Sequence, residues 1–439
     1  LGLSWSCRIG RDCVLLQQTR VLPLIPRRPR MSGGRLRLSR TLAILGGKPL
    51  FDEPLHVGRP NLPDRRHFDK LVDTMFSNRW FTNYGPLVKI LQARLEEKLG
   101  VKHCIPICNG TVALELAYRA AGFHGEVIVP AFTFVATAHA LEWQRIKPVF
   151  CDIRESDFTL DPSCVEELIT DRTTGIVGVH VFGNPCDHRS IAETAGRHGL
   201  GVVYDAAHAF MNETDGMSVC SLGSMSILSF HATKFFSTFE GGAIVTDDDY
   251  LAEKIRLMMN FGFAGREKDK VDYIGINGKM TEICAAMGLA MLEQVDRLAE
   301  INRINFEAYL EALEGIPGIA CRTPSPALSA RNWQYVVATV DEESFGLSRD
   351  SLVEVLEAEN VLARKYFHPG CHRHEPYCRT FPGSGRELPV TDRLSEMVMC
   401  FPTGEAVTPA MARMIGDSIR LAGVRAGEVR TVLKEGGHA

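Results

Sequence analysis

Short apolar runs alternate with helical patterns through the first half of the chain, and this alternation is the strongest constraint on its fold. Runs suited to buried strands lie at residues 127–130, 148–152, 176–181, 201–204, 225–230 and 242–246. A helical pattern occurs between two of them, near residues 165–169. Buried strands that are separated by helices form a mainly parallel sheet with helices on both faces. The expected class is therefore α/β.

A single lysine, Lys234, lies in an otherwise uncharged decapeptide between two of the predicted strands. A lysine beside packed apolar chain loses hydration, which disfavours its ammonium form and makes the free amine available to form a Schiff base. Most lysines near strands instead extend to solvent. Asp205 strengthens the catalytic interpretation, because it follows a buried strand at the sheet edge where α/β proteins bind ligands. Lysine, acid and nearby glycines suit pyridoxal phosphate (PLP), whose ring nitrogen needs an anionic partner.

The same residues belong to motifs that resemble the DegT/DnrJ/EryC1/StrS family of sugar aminotransferases. The motifs are Tyr204-Asp205-Ala206-Ala207-His208, Ser229-Phe230-His231-Ala232-Thr233-Lys234, Glu240-Gly241-Gly242 and Gly275-Ile276-Asn277-Gly278-Lys279-Met280-Thr281-Glu282. The likeness extends from about residue 46 to residue 421, and the motifs occur in the family's order. It implies the fold-type I PLP-dependent transferase fold: a mainly parallel sheet sandwiched by helices, plus a smaller C-terminal α+β domain. We expect the large domain at 41–297 and the small one at 298–439.

The resemblance also implies a set of cofactor-binding residues. Gly110, Thr111 and Ser229 would hold the phosphate, the first two at a helix start whose free amides favour anions. Phe134 and His208 would lie against opposite faces of the pyridine ring, and Asp205 would keep its nitrogen protonated. Lys234 would be the catalytic nucleophile and then the proton carrier.

Asn277 carries an implication about assembly. In relatives the matching asparagine reaches the cofactor phosphate of the partner subunit, which implies a homodimer with shared active sites.

One stretch concentrates histidine and cysteine: His368, Cys371, His372, His374 and Cys378. Zinc uses such ligands, but the spacing matches no zinc motif, so we expect no metal. A metal-binding module remains a rival interpretation of this stretch. In the family this region lines the substrate side of the pocket, which makes His372 and Tyr377 candidate substrate contacts.

The resemblance implies transfer of an amino group from L-glutamate to a keto-sugar attached to a nucleotide. The motif combination is most similar to members acting at C4 of a dTDP-4-dehydro-6-deoxyhexose, here dTDP-4-dehydro-6-deoxyglucose, in deoxyaminosugar biosynthesis. A 3-aminotransferase, a cyclitol aminotransferase and a catalytically silent PLP-binding regulatory protein remain alternatives.

The charge distribution argues against a nucleic-acid partner. The net charge is −4, and the first thirty residues carry six arginines and one acid, +5, which leaves −9 for the rest. We expect residues 1–40 to be a disordered Arg-rich extension, with a transit peptide as alternative and Met31 as a possible start. No run of about eighteen apolar residues occurs, so no membrane span is expected. Thirteen cysteines without disulfide spacing suit the cytoplasm.

Overall fold

A seven-stranded sheet organises the structure, a computed structural model that describes residues 40–264, 269–381 and 387–436. The predicted extension at 1–40 therefore lies, apart from Arg40, outside the described residues. The strands are β1 Leu55–His56, β2 His103–Ile107, β3 Glu126–Pro130, β4 Lys147–Cys151, β5 Thr173–Val179, β6 Gly201–Asp205, β7 Glu213–Thr214, β8 Met217–Ser218, β9 Met225–Ser229, β10 Gly242–Thr246, β11 Phe263–Ala264, β12 Lys270–Val271, β13 Ile319–Arg322, β14 Leu328–Ala330, β15 Val336–Val340, β16 Val361–Leu362 and β17 Val398–Phe401.

Helices cover this sheet and make up most of the C-terminal part. They are α1 Arg65–Asn78, α2 Pro86–Leu99, α3 Gly110–Ala120, α4 Val135–Glu142, α5 His188–His198, α6 Asp249–Met258, α7 Glu282–Leu292, α8 Val295–Leu313, α9 Glu342–Phe345, α10 Arg349–Ala358, α11 Glu375–Thr380, α12 Pro389–Met397, α13 Pro409–Val424 and α14 Ala426–Gly436. No helix among the described residues is both long enough and apolar enough to cross a bilayer.

The strand order of the large sheet is β2-β10-β9-β6-β5-β3-β4. The neighbouring pairs from β9 to β4 are parallel, and only β10 runs antiparallel to its neighbours β9 and β2. The predicted α/β class with a mainly parallel sheet is confirmed. Parallel strands place their carboxyl ends along one edge. The ends of β6 and β9, Asp205 and Ser229, therefore lie at the same edge of the sheet.

Residues near the start of the chain pack into the C-terminal part of the structure. Leu42, Phe51 and Leu55 belong to an apolar cluster whose other members come from residues 306–429. Strand β1 pairs in parallel with β16, and Arg40 forms an ion pair with the buried carboxylate of Glu359. All described residues belong to one compact unit, and the predicted domain division at residues 297 and 298 stays a prediction.

The predicted helix near residues 165–169 is wrong. Two short 3-10 turns, Pro162–Cys164 and Glu166–Leu168, connect β4 to β5 instead. Only a few residues lie between Pro162 and the extended backbone at Ile169, which is too short a span for a stable α-helix.

Glu282 joins two helices that are far apart in sequence. Its side chain is 1% exposed, and its two carboxylate oxygens accept hydrogen bonds from Leu87 N at 2.8 Å and Val88 N at 3.0 Å. These amides belong to the first turn of α2, where Gly85 has no side chain to cap the helix. A buried anion at a helix N-terminus satisfies free amides and interacts favourably with the helix dipole.

We expect Glu282→Ala to lower the free energy of unfolding by about 1–3 kcal/mol, because it leaves buried amides unpaired. Chemical denaturation followed by circular dichroism measures this change. Glu293→Ala, which removes an exposed ion pair with Arg94, is the matched control and should cost less than about 1 kcal/mol. Equal losses in the two variants would contradict the capping role.

Candidate functional site

Lys234 lies in a loop between β9 and β10 that is anchored by aromatic packing. Lys234 N donates to His231 O at 2.8 Å, and Phe236 packs against Phe210 with a centroid distance of 4.7 Å and against Phe230 at 4.9 Å. The lysine side chain is partly buried. Loss of hydration lowers the pKa of Lys234 to about 8, although the negative charge of Asp205 opposes the shift. The lysine is therefore poised to supply a free amine near neutral pH.

Asp205 ends strand β6 and is 6% exposed. Its Oδ1 accepts a hydrogen bond from Ala207 N at 3.0 Å, and its Oδ2 accepts one from Thr137 Oγ1 at 2.8 Å. Burial raises the pKa of Asp205, while these two hydrogen bonds and the charge of Lys234 act in the opposite direction. Asp205 and Lys234 are thus close enough for their charges to interact.

His208 lies on the turn after β6 and is held by aromatic rings from several segments. The ring contacts Tyr335 at 4.5 Å and lies near parallel to Phe182 and Phe367 at 6.3 and 6.1 Å. His208 Nδ1 accepts a hydrogen bond from Phe182 N at 3.2 Å. Burial, followed by the charge of Lys234, holds the pKa of His208 well below its usual value. The imidazole is thus neutral at pH 7, with its proton on Nε2.

The start of α3 packs closely against two strands of the sheet. Asn109 caps the helix by accepting a hydrogen bond from Val112 N at 2.8 Å. A Cβ added to Gly110 would lie 3.0 Å from Ser229 Cβ and 3.2 Å from Ser229 Oγ. A Cβ added to Gly242 would lie 2.9 Å from Gly110 N. Glycine at both positions lets the free amides of the helix start approach the Ser229 hydroxyl, which is an arrangement that binds phosphate.

The remaining predicted cofactor residues lie at the surface of the chain. Thr111 is exposed on the first turn of α3, and Phe134, which precedes α4, is 56% exposed. Asn277 is also exposed, and its Oδ1 accepts a hydrogen bond from Lys279 Nζ at 2.6 Å. The loop that carries Asn277 is held beside β2, where Cys108 N donates to Gly278 O at 2.8 Å.

His372 and Tyr377 lie in the packed interior. His372 is 0% exposed, and its Nε2 lies 3.0 Å from Asp392 Oδ1. Tyr377 is 1% exposed and packs edge-on against Phe150. Their role as substrate contacts stays a prediction. Among residues 40–264, 269–381 and 387–436, no group of three or more His, Cys, Asp or Glu side chains is arranged to hold a metal ion.

Two contributors to the site were not assigned a role from the sequence. Thr137 donates to Asp205 and lies 2.9 Å from Thr133 Oγ1, and the i, i+4 spacing of these threonines was the available signal. Tyr335, which immediately precedes β15, contacts His208. Its sequence position, outside all of the motifs, carried no signal.

A family model matches residues 64–420, from before α1 to α13. The chain belongs to the DegT/DnrJ/EryC1/StrS aminotransferase family. It is accordingly a PLP-dependent aminotransferase of fold type I, as its sequence motifs implied.

Relatives within the DegT/DnrJ/EryC1/StrS family align with most of the chain. A dTDP-4-amino-4,6-dideoxy-D-glucose transaminase of Shigella dysenteriae is 40% identical over 84% of this chain and 99% of that protein. A GDP-perosamine synthase of Caulobacter vibrioides is 36% identical over 74% of this chain and 86% of that protein. The crystal structure of DesI in the presence of its TDP-sugar product has 42% identity and a TM-score of 0.84, covering 89% of this chain and 98% of that one.

The residues present fit the cofactor of the DegT/DnrJ/EryC1/StrS family. Two glycines let the start of α3 lie directly against Ser229 and β10, so that the free amides of the helix start and the Ser229 hydroxyl can bind the same phosphate. Asp205 is a buried carboxylate, suited to a protonated ring nitrogen, and Lys234 interacts electrostatically with it. The individual roles of Gly110, Thr111, Phe134, Asp205, His208, Ser229, Lys234 and Asn277 stay predictions.

Capture of PLP by the cofactor-free enzyme should accelerate as pH rises through about 8, because Lys234 then loses its proton and becomes nucleophilic. In Asp205→Asn the midpoint should move to lower pH, since the neutral amide no longer stabilises the ammonium ion. Stopped-flow absorbance across a pH series measures both midpoints. A wild-type capture rate that does not change across this midpoint would contradict the lowered pKa of Lys234.

Ser229→Ala should weaken PLP binding about tenfold, because it removes a hydroxyl donor to a charged phosphate. Fluorescence titration of cofactor-free protein measures the dissociation constant. Ser224→Ala, an exposed change just before the same strand, is the control and should leave affinity unchanged. Unchanged affinity in Ser229→Ala would remove Ser229 from the phosphate site.

Proposed function

We propose that this enzyme transfers an amino group from L-glutamate to C4 of dTDP-4-dehydro-6-deoxyglucose. The proposal depends on one observation. The chain is 40% identical to a protein named as the transaminase of the corresponding 4-amino sugar, and the match covers 99% of that protein. The structure of DesI with its TDP-sugar product supports the same class of acceptor. The lowered pKa of Lys234 and the nearby buried Asp205 support catalysis and oppose a silent binding protein.

Lys234, Asp205 and His208 each have a separate role in the proposed reaction. PLP, when bound, supplies an electron sink for the pair of electrons released at the substrate carbon. Lys234 Nζ accepts the α-proton of the amino donor and later returns a proton to the sugar carbon that receives the amino group. Asp205 would pair with the ring nitrogen from a buried position, where its negative charge acts strongly. His208, neutral and packed between aromatic rings, would help to position the cofactor ring and to exclude water.

A homodimer with shared sites is part of the proposal. Asn277 is exposed on a loop attached to the strand that precedes α3, so its side chain is available to a second copy of the chain. L-Glutamate as donor rests on the family resemblance. The cytoplasmic location rests on the thirteen cysteines without disulfide spacing, and it agrees with the free thiols of the described cysteines.

Addition of L-glutamate to the purified holoenzyme should change the visible absorption spectrum of the bound cofactor and release 2-oxoglutarate. The Lys234→Ala variant should show neither change, because it lacks the proton carrier. Lys434→Ala, on the exposed surface of α14, is the matched control and should behave as wild type. If wild type with bound PLP gives no such conversion with glutamate, the proposed donor is wrong.

The acceptor is identified by supplying the aminated enzyme with single keto-sugars. The dTDP-4-keto sugar should restore the starting absorption spectrum of the enzyme faster than its 3-keto isomer, a GDP-linked 4-keto sugar or a keto-cyclitol does. Nuclear magnetic resonance of the product locates the new amine. Faster turnover of the GDP-linked sugar would favour the activity named for the perosamine synthase relatives instead.

A further inference from the structure

Two buried threonines, Thr133 and Thr137, form a hydrogen-bonded chain that ends on Asp205. Thr133 is 2% exposed and Thr137 is 0% exposed. Thr137 Oγ1 donates to Asp205 Oδ2 at 2.8 Å, and Thr133 Oγ1 lies 2.9 Å from Thr137 Oγ1. Strands β3, β5 and β6 run parallel, so the residues that follow β3 reach the edge of the sheet where Asp205 ends β6.

The protons of this threonine chain have a fixed direction when Asp205 is ionised. A carboxylate only accepts hydrogen bonds, so the single hydroxyl proton of Thr137 points to Asp205 Oδ2. Thr137 Oγ1 then offers only lone pairs to Thr133, and the hydroxyl of Thr133 is the donor in their contact. Aligned donors polarise one another, so Thr133 strengthens the hydrogen bond that Thr137 gives to the carboxylate.

Neighbouring contacts hold the backbone of both threonines. Thr137 lies in the first turn of α4, and Tyr118 Oη donates to its carbonyl oxygen at 3.1 Å. Thr133 O accepts a hydrogen bond from Cys371 Sγ at 3.3 Å, and Cys371 N donates to Ala131 O at 2.8 Å. A β-branched side chain has few χ1 rotamers, so a fixed backbone also limits the direction of each hydroxyl.

Asp205 is held on both oxygens and still has acceptor positions for a ligand. Ala207 N donates to Oδ1 at 3.0 Å, and Thr137 donates to Oδ2. A carboxylate has about four acceptor positions, so positions remain for a ring nitrogen. Because the two donors come from different segments, they fix the plane of the carboxylate as well as stabilise its charge.

The charged and titratable groups that face Asp205 are Lys234 and two phenols. Burial, followed by the charge of Asp205, holds the pKa of Tyr118 well above its usual value. Burial also raises the pKa of Tyr335, with a smaller contribution from Asp205. Both phenols are therefore neutral at pH 7. Burial lowers the pKa of Lys234 to about 8, so above that pH the carboxylate depends more on its hydrogen-bond donors.

We propose that Thr133 and Thr137 are positioning residues that favour the ionised form of Asp205 and orient its carboxylate toward the ring nitrogen of PLP. Thr137 acts on Asp205 directly, and Thr133 acts through Thr137. The inference rests on the role proposed for Asp205 toward PLP, and it applies whichever amino donor and keto-sugar the enzyme uses.

Carbon-13 nuclear magnetic resonance of the cofactor-free protein, labelled at its aspartate carboxyl carbons, follows the titration of Asp205. The signal is identified by its absence in Asp205→Asn. Thr137→Val should raise the titration midpoint by about one to two pH units, because the ionised carboxylate loses a donor. Thr133→Val should raise it by a smaller amount, and Thr137→Ser, which keeps the hydroxyl, should stay near wild type.

Thr194→Val is the matched control for removal of a buried threonine hydroxyl. Thr194 is 7% exposed on α5, and its hydroxyl accepts a hydrogen bond from Arg197 Nη2 at 3.2 Å. This variant should leave the Asp205 midpoint unchanged. If circular dichroism shows that Thr137→Val does not fold, Thr137→Ala removes the same hydroxyl with a smaller side chain. An unchanged midpoint without the Thr137 hydroxyl, or in Thr133→Val, would overturn the proposal.

The holoenzyme distinguishes positioning from a structural role. With L-glutamate, Thr137→Val should lower the maximal rate of cofactor conversion about tenfold and leave the half-saturating glutamate concentration unchanged, while Thr137→Ser recovers the rate. Weaker glutamate binding with an unchanged maximal rate would contradict the positioning role. If wild type does not react with glutamate, the proposed donor is wrong, and the carboxyl titration, which needs no donor, still decides the role of the threonines.

Discussion

The burial of Asp205 close to Lys234 is the interaction on which the site depends. Each group alone would pay a large desolvation cost for its charge, and the opposite charge of the other offsets part of that cost. Burial lowers the pKa of Lys234 and raises that of Asp205, while two hydrogen bonds and the charge of Lys234 oppose the shift at Asp205. An amine that loses its proton easily, beside a buried carboxyl group held by hydrogen bonds, suits an aminotransferase at this edge of the sheet.

Sheet topology brings these groups together with the phosphate-binding elements. Strands β6 and β9 are adjacent and parallel, so Asp205 and Ser229 reach the same edge of the sheet, with Ser229 two positions beyond Ile227, the register partner of Asp205. The antiparallel strand β10 then returns the chain, and Gly242 allows the start of α3 to lie directly against it. The positions of the strands and of α3 therefore suffice to bring an acid, a hydroxyl and a helix N-terminus to one edge of the sheet.

Much of this could be predicted from the sequence, because the signals are local. A few neighbouring residues are enough to predict the strand at residues 242–246, the helix after Asn109 and the isolated lysine. Contacts between distant segments could not be predicted in the same way. Glu282 binds amides 195 and 194 positions earlier, and Tyr335 reaches His208 from a different part of the fold. A glutamate that begins a helix looks like an ordinary first-turn acid until its partner helix is placed.

The packing of the first described residues into the C-terminal core has a consequence for biosynthesis. Arg40 and its partner Glu359 are 319 positions apart, and β1 pairs with β16. During translation the apolar side chains of Leu42, Phe51 and Leu55 emerge early, yet the surface that buries them is made near the end. Contacts of such long range slow folding and leave apolar segments exposed to aggregation meanwhile. The apolar side chains of this segment therefore stay exposed until the chain is nearly complete. Until then, binding by a chaperone would protect them from aggregation.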